Sequence, residues 1–233
     1  MSAIFSKEIK AYFTSPIGYV FLGFALILSG LFFLWGNIYN SYIDMESFFG
    51  NIGVVFLFLI PILTMRLLSE EKKTKTDQLL ITSPVRISGI VIGKYLAASA
   101  LFALSLLIMC IYVIILCIYG DPDLFAIFTM MIGFFLMGCS LISIGLFVSS
   151  LTDNQIVACL ITFALLLILW LLNMFTFQSD IAGMVVSWLS VLKRYEEVTT
   201  NGELDIASIV YFVSFSAVFV FFTIMSLERK RWS

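Results

Sequence analysis

The chain has 233 residues, of which 61% are apolar, 16% aromatic and only 12% charged, against roughly 25% charged in an average soluble protein. A soluble domain of this length has no means of hiding so much apolar surface, so lipid is the solvent for most of it. A net charge of −2 and a pI near 5.1 leave no basic footprint for nucleic acid, and the absence of His removes most zinc sites, imidazole general bases and Ser-His dyads.

The chain opens with MSAIFSKEIKAYFTSPIGYV. At 100° per residue, Phe5, Ile9, Tyr12 and Phe13 share one face of a helix over 2–14, while Lys7 and Lys10 point the other way. This pattern predicts an elbow helix lying in the membrane interface with its lysines at lipid phosphates; the alternative is a frayed terminus. Thr14-Ser15-Pro16 follows, and the same triplet returns as Thr82-Ser83-Pro84. Ser15 and Ser83 are expected to cap helices whose first positions are Pro16 and Pro84. Since a residue before Pro is pushed out of α geometry, each Ser-Pro is a predicted corner.

A bilayer core is crossed by about 20 apolar residues, and six uncharged windows are long enough: Ala11–Ile43, Ser47–Met65, Tyr95–Gly120, Leu124–Thr152, Asn154–Ser179 and Ile206–Leu227. Trimmed by turn signals, they predict spans at 17–36, 50–67, 92–119, 124–149, 155–177 and 206–227. Each is too long for a strand, and backbone groups in lipid have to be satisfied internally. The predicted fold class is therefore all-α, a polytopic integral membrane protein with six transmembrane helices. The first span lacks a small-x-small cleavage pattern and is too long for a signal peptide, so it is expected to remain as an anchor. A seventh window, Ile181–Leu192, has 12 residues, with Trp188 and Tyr195 flanking Lys193 and Arg194. That length predicts a re-entrant or interfacial segment between spans five and six.

Eleven of the 13 basic residues fall before span one, in 66–94, or after span six. The alternate loops carry Asp44 and Glu46, Asp121 and Asp123, and a mixed 178–205 stretch. The positive-inside rule then puts both termini and the 66–94 region in the cytoplasm.

The central parts of the spans hold no Asp, Glu, Lys or Arg, only neutral polar groups such as Ser105, Ser140, Ser143, Thr162 and Asn173. Ion-coupled carriers keep ionisable groups near the midplane, so the energy for any transport is expected from outside the spans. Two motifs are decoys. Gly89-Ile-Val-Ile-Gly93-Lys94-Tyr95 has too few residues between its glycines, and Tyr where a phosphate loop needs Ser or Thr; Gly89 and Gly93 suit close helix packing instead. Gly138-Cys139-Ser140 offers a hydroxyl without any evident base. Cys110, Cys117, Cys139 and Cys159 lie in apolar runs with no C-x-x-C pair and read as small buried hydrophobes. No catalytic, metal or cofactor-binding residue is predicted.

The longest polar run, SEEKKTKTDQLLITSPVR at 69–86, mixes both signs of charge. Glu70 and Glu71 precede Lys72, Lys73 and Lys75, the favourable order for a helix dipole and for an i,i+4 pair such as Glu71–Lys75. Leu79, Leu80 and Ile81 supply an apolar edge. The residues fit equally a solvated loop whose bases enforce topology and a short cytoplasmic helix that docks on a partner.

The stretch from Arg66 to Val85, followed by Ile90-Val-Ile-Gly-Lys-Tyr-Leu-Ala, resembles the permease subunits of ABC-2 type ABC transporters. The N-terminal Lys7-Glu8-Ile-Lys-Ala-Tyr-Phe-Thr-Ser-Pro-Ile-Gly-Tyr looks most like the gliding-motility-associated branch, and the likeness covers essentially the whole chain. One departure is Lys75-Thr76 where the family has Gly-Thr. The resemblance implies a coupling helix over 69–81 seated in a separate ATPase, with Glu70, Glu71, Lys72, Lys73, Lys75, Thr76, Asp77, Leu79 and Leu80 as the coupling surface. It implies a dimer of permeases, identical or paralogous, with two ATPase subunits that hold ATP and Mg, and leaves room for an accessory extracytoplasmic protein. The expected function is thus a non-enzymatic permease of an ATP-driven exporter in the bacterial cytoplasmic membrane, its substrate path walled by the Phe-rich spans one, two and five. An aromatic, weakly charged interior leans toward amphiphiles. The reading from a different class is a non-transporting membrane scaffold with 69–86 as its docking platform.

Overall fold

The computed structural model describes residues 2–39, 44–75, 86–174 and 190–232. Helix α1 is Ser2–Thr14 and α2 is Pro16–Phe33, continued by a π-helical segment over Leu34–Tyr39; α3 is Met45–Thr64, α4 Ser69–Lys73 and α5 Ile87–Tyr119. Then follow α6 (Leu124–Leu151), α7 (Gln155–Met174), α8 (Val191–Asn201) and α9 (Ile206–Trp232). No strand occurs among the described residues. Among the described residues, five helices are long and apolar enough to cross a membrane, and α7 contributes a shorter apolar stretch, Gln155–Leu171.

Local chemistry sets most of the boundaries. Ser15 is extended (φ −102°, ψ 154°) ahead of Pro16, which opens α2. Its hydroxyl makes no capping bond, contrary to expectation, because it accepts from Arg66 at 2.7 Å instead. The corner is tight: a Cβ at Gly18 would collide with the Tyr12 carbonyl. Helix α3 starts ahead of the predicted 50 because Asp44 accepts the Ser47 N–H at 2.9 Å and so caps a turn that carries Glu46. Helix α5 starts at Ile87, ahead of the predicted 92, with Arg86 extended at its cap; the predicted Ser83-Pro84 corner lies outside the described residues. Its 33 residues measure about 50 Å at 1.5 Å per residue, well over the ~30 Å of a hydrocarbon core. One end of α5 therefore projects past the apolar layer and meets α1.

The bundle is built around α3 and α6. Two-thirds of the apolar window of each (67%) is buried, against 28% for α2, 33% for α5 and 22% for α9. The outer helices present large apolar side chains outward, among them Ile27, Leu107, Ile114 and Val210, which is the arrangement a lipid solvent favours. Between α3, α5 and α6 the rings of Phe49, Phe56, Phe102 and Phe134 form a chain with centroids 5.2–6.0 Å apart, mostly edge-to-face or tilted. Gly138 leaves the room that Phe102 fills, since a Cβ there would overlap the ring.

At the end of the bundle remote from α1, α8 folds back over α3 and α6. Ser190 caps it through the Lys193 N–H, and Gly202 ends it in the left-handed region at φ 64°. Val191, Leu192, Tyr195, Val198 and Thr199 form its buried stripe. Tyr195 is fully buried, donates to the Phe49 carbonyl at 2.9 Å and packs 5.8 Å from Phe134. Burial pushes its phenol well above the ordinary value, so the hydroxyl remains a donor. Lys193 to Glu197 thus belong to a helix, whereas the predicted re-entrant segment stops at 192; its residues 181–189 lie outside the described residues.

Candidate functional site

Three segments remote in sequence meet at the α1 end of the bundle. Lys94, near the start of α5 and only 2% exposed, places its ammonium 2.9 Å from both Glu8 of α1 and Glu71 of α4. Lys7 approaches Glu71 from outside at 3.5 Å with 64% of its side chain exposed. Two acids and two bases thus balance. A buried lysine persists as a charge only with such partners, and the short charge-assisted bonds fix both acids in place. Beside this cluster, Arg66 holds Glu70 at 2.7 Å and donates to Ser15 at 2.7 Å. Tyr12, fully buried, donates to the Leu63 carbonyl at 3.2 Å. Burial, then the Glu8 charge, push its phenol up, while Arg66 pulls the other way.

Helix α4 is also tied to the end of α6. The Ser149 hydroxyl oxygen lies 3.0 Å from the Leu68 N–H and 3.1 Å from the Ser69 N–H, accepting both, and itself donates to the Met65 carbonyl at 3.3 Å. These are first-turn amides that a helix leaves without internal acceptors. Lys72 is buried, donates to the Ser150 carbonyl and stands 3.7 Å from Asp153. A lysine at a helix C-terminus also suits the dipole there.

The coupling residues expected from sequence therefore separate. Glu70, Glu71 and Lys72 are engaged by Arg66, Lys94 and the end of α6, while Lys73, Thr74 and Lys75 are exposed. Helix α4 ends at Lys73, so Lys75 lies beyond it, and no Glu71–Lys75 pair occurs among the described ion pairs. Lys75 has φ 56°, the one positive φ of a non-glycine among the described residues. This is the left-handed conformation that glycine adopts without strain, which accounts for the glycine the resemblance leads one to expect there. Thr76, Asp77, Leu79, Leu80, Ser83 and Pro84 lie outside the described residues. In α1, Phe5 and Ile9 pack on the core and Lys7 and Lys10 are exposed, but Phe13 is also exposed and Tyr12 carries the contact.

Residue-by-residue reading missed Glu8, Lys94, Ser149 and Tyr12 as parts of one site. Lys94 sat in a discarded motif, and the structure places Gly89 to Lys94 inside α5. The space around Gly89 is open, so it makes no close helix contact. Ser140 is likewise no nucleophile: it is buried and bonded to the Leu136 and Phe212 carbonyls at 3.1 Å. All four cysteines are free, but only Cys139 is buried; Cys110 and Cys159 are half-buried and Cys117 is exposed.

A groove opens between α2 and α3. A cavity of about 660 Å³ lies at its π-helical end, walled by Leu28, Leu31, Phe32 and Trp35 on one side and by Asp44, Ser47 and Asn51 on the other. A second, of about 260 Å³, shares Leu28, Phe32 and Asn51 with the first and reaches Phe58 and Leu59. Phe58 in turn meets Phe163 of α7 at 5.0 Å.

Among proteins of known family, residues 36–193, about two-thirds of the chain, match the ABC-2 family transporter protein model. No curated protein matches the chain. The matched stretch runs from the π-helical segment to the first turn of α8, and so takes in α3 to α7 and, of the groove's two walls, the one on α3. The chain therefore belongs to the ABC-2 family of transporter proteins, and it is a multi-pass membrane permease.

Proposed function

We propose that the chain is the permease of an ATP-driven exporter in which a separate ATPase drives α4. The carrying observation is the mounting of α4: its inner side is gripped by Lys94 of α5 and by Ser149 and Ser150 of α6, while Lys73, Thr74 and Lys75 face outward. A short helix held that way transmits displacement to α5 and α6 instead of absorbing it. In this reading α7 is the sixth span, since 20 residues reach about 30 Å. The α1 end, with its basic residues, then faces the cytoplasm, both termini included. Two permeases, two ATPase subunits holding ATP and Mg, and a bacterial cytoplasmic membrane complete the assembly, with the N-terminal motif placing it nearest the gliding-motility-associated branch.

The test uses the exposed side of α4, because Glu71 now has a structural task and is a poor reporter of docking. The doubly charge-reversed variant Lys73→Glu, Lys75→Glu is expected to fold with an unchanged melting temperature, yet to lose ATPase co-purification and substrate-stimulated hydrolysis by about tenfold or more. Unchanged association and turnover would overturn the proposal. Retained association without nucleotide-dependent movement of α2 and α7 would indicate a scaffold.

A further inference from the structure

The groove between α2 and α3 has two unlike walls. Asp44, Ser47 and Asn51 recur at i, i+3 and i+7 and so form one polar stripe along α3. Asn51 is exposed on an apolar helix, and no described hydrogen bond engages its amide. In hydrocarbon such a group is costly unless something covers it. The facing wall from α2 and the π-helical segment is apolar and ends in Trp35, 77% exposed. Among the described residues lining the cavity, Asp44 is the one charged group. It is held in place from both sides: its N–H donates to Asn37 Oδ1 at 2.8 Å, and its Oδ1 accepts from the Ser47 N–H at 2.9 Å. Asn37 itself is buried, and its Nδ2 finds no partner. π-helical segments of this kind are frequent at functional sites.

From these walls we infer that the groove binds an ammonium-bearing amphiphile. Its N–H groups go to Asp44 and Ser47, with the cation near the Trp35 indole and the hydrocarbon chain along Leu28, Leu31 and Phe32. The carboxylate supplies charge complementarity, the indole face attracts the same cation, and the volume of about 660 Å³ falls within the usual range of roughly 300–1,000 Å³ for small-molecule sites. An anionic head is disfavoured by Asp44, and an uncharged head leaves it without a counter-charge. The inference rests on the permease reading and names the substrate class of its path. The ammonium has two sources, a free alkylamine or an aminophospholipid of the bilayer.

The experiment is equilibrium binding of radiolabelled dodecylamine to the purified full chain in an uncharged maltoside detergent at pH 7. Competition by dodecanol, dodecyl sulfate and nanodiscs containing phosphatidylethanolamine is then measured. Saturable binding is expected, weakened about tenfold or more in Asp44→Asn and several-fold in Trp35→Leu, with dodecanol and dodecyl sulfate competing poorly. Asn caps helices as well as Asp does, so the Asp44→Asn variant removes charge and keeps the start of α3; an unchanged melting temperature checks this. Competition by the phosphatidylethanolamine nanodiscs identifies the bilayer lipid as the source, and its absence the free amine; both support the inference. Equal binding by Asp44→Asn, equal competition by dodecanol, or no saturable binding, as when a second copy of the chain closes the groove, overturns it. No ATPase is present in this measurement, so its failure is separable from a failure of the coupling reading.

Discussion

Lys94 and Glu71 meet at 2.9 Å with the lysine 2% exposed, and this contact joins the segment after α3 to the start of α5 at the point where the chain leaves the apolar layer. Glu8 of α1, 86 residues from Lys94, shares the same ammonium. One buried ammonium thus ties α1, α4 and α5 together, in addition to their packing on the bundle. Replacing Lys94 by Met is expected to cost about 3 kcal/mol, because two largely buried carboxylates then lose the buried ammonium they share. Lys7→Met should cost under about 1 kcal/mol, its side chain being largely solvated. Melting temperatures of the two variants in detergent check the contrast; equal effects would count against a buried clamp.

Ser149 serves two N–H groups and a carbonyl. Ser149→Ala leaves buried donors without an acceptor, at about 1–3 kcal/mol. Amide hydrogen exchange at Leu68 and Ser69 should accelerate selectively, with α3 unchanged. A uniform acceleration would point to general loosening instead.

Lys75 carries a left-handed backbone at φ 56°. Lys75→Gly removes the Cβ conflict and is expected to raise stability by about 1 kcal/mol, whereas Lys75→Val should lower it by a similar amount or more. Thermal unfolding of the pair reads the sign directly.

Tyr12 and Tyr195 are buried phenols whose acidity burial suppresses in the folded state. Their folded pKa values lie above the unfolded value of about 10, so their contribution is complete below that pH and is lost as pH rises beyond it. The protein is expected to lose stability steeply above about pH 10, and Tyr195→Phe to flatten that slope. At pH 7 the same variant should cost about 1 kcal/mol for the lost bond to Phe49. Stability measured from pH 7 to 11 on both proteins tests the sign and the size.

Much of the architecture is carried by composition and local signals. Length of apolar runs, the Ser15-Pro16 corner and the segregation of Lys and Arg depend on neighbours within a few residues, and they suggest helices, ends and family resemblance before any packing is known. Between spans five and six an interfacial or re-entrant helix was legible, but not that a helix runs on through Lys193 to Asn201, although Ser190 and Asn201-Gly202 bracket it and its buried positions recur at helical spacing. The partners of Lys94, Lys72 and Ser149 were not legible at all. In a chain whose spans are apolar on every side, periodicity does not say which face meets which helix. Only packing brings Glu8, Glu71 and Lys94 to one point, because a contact across 86 residues is decided by how α1, α4 and α5 cross and not by anything written beside them. The same holds for Lys75: its identity departs from the family's glycine, but the backbone that needs a glycine there exists only once α4 is pinned against α5 and α6.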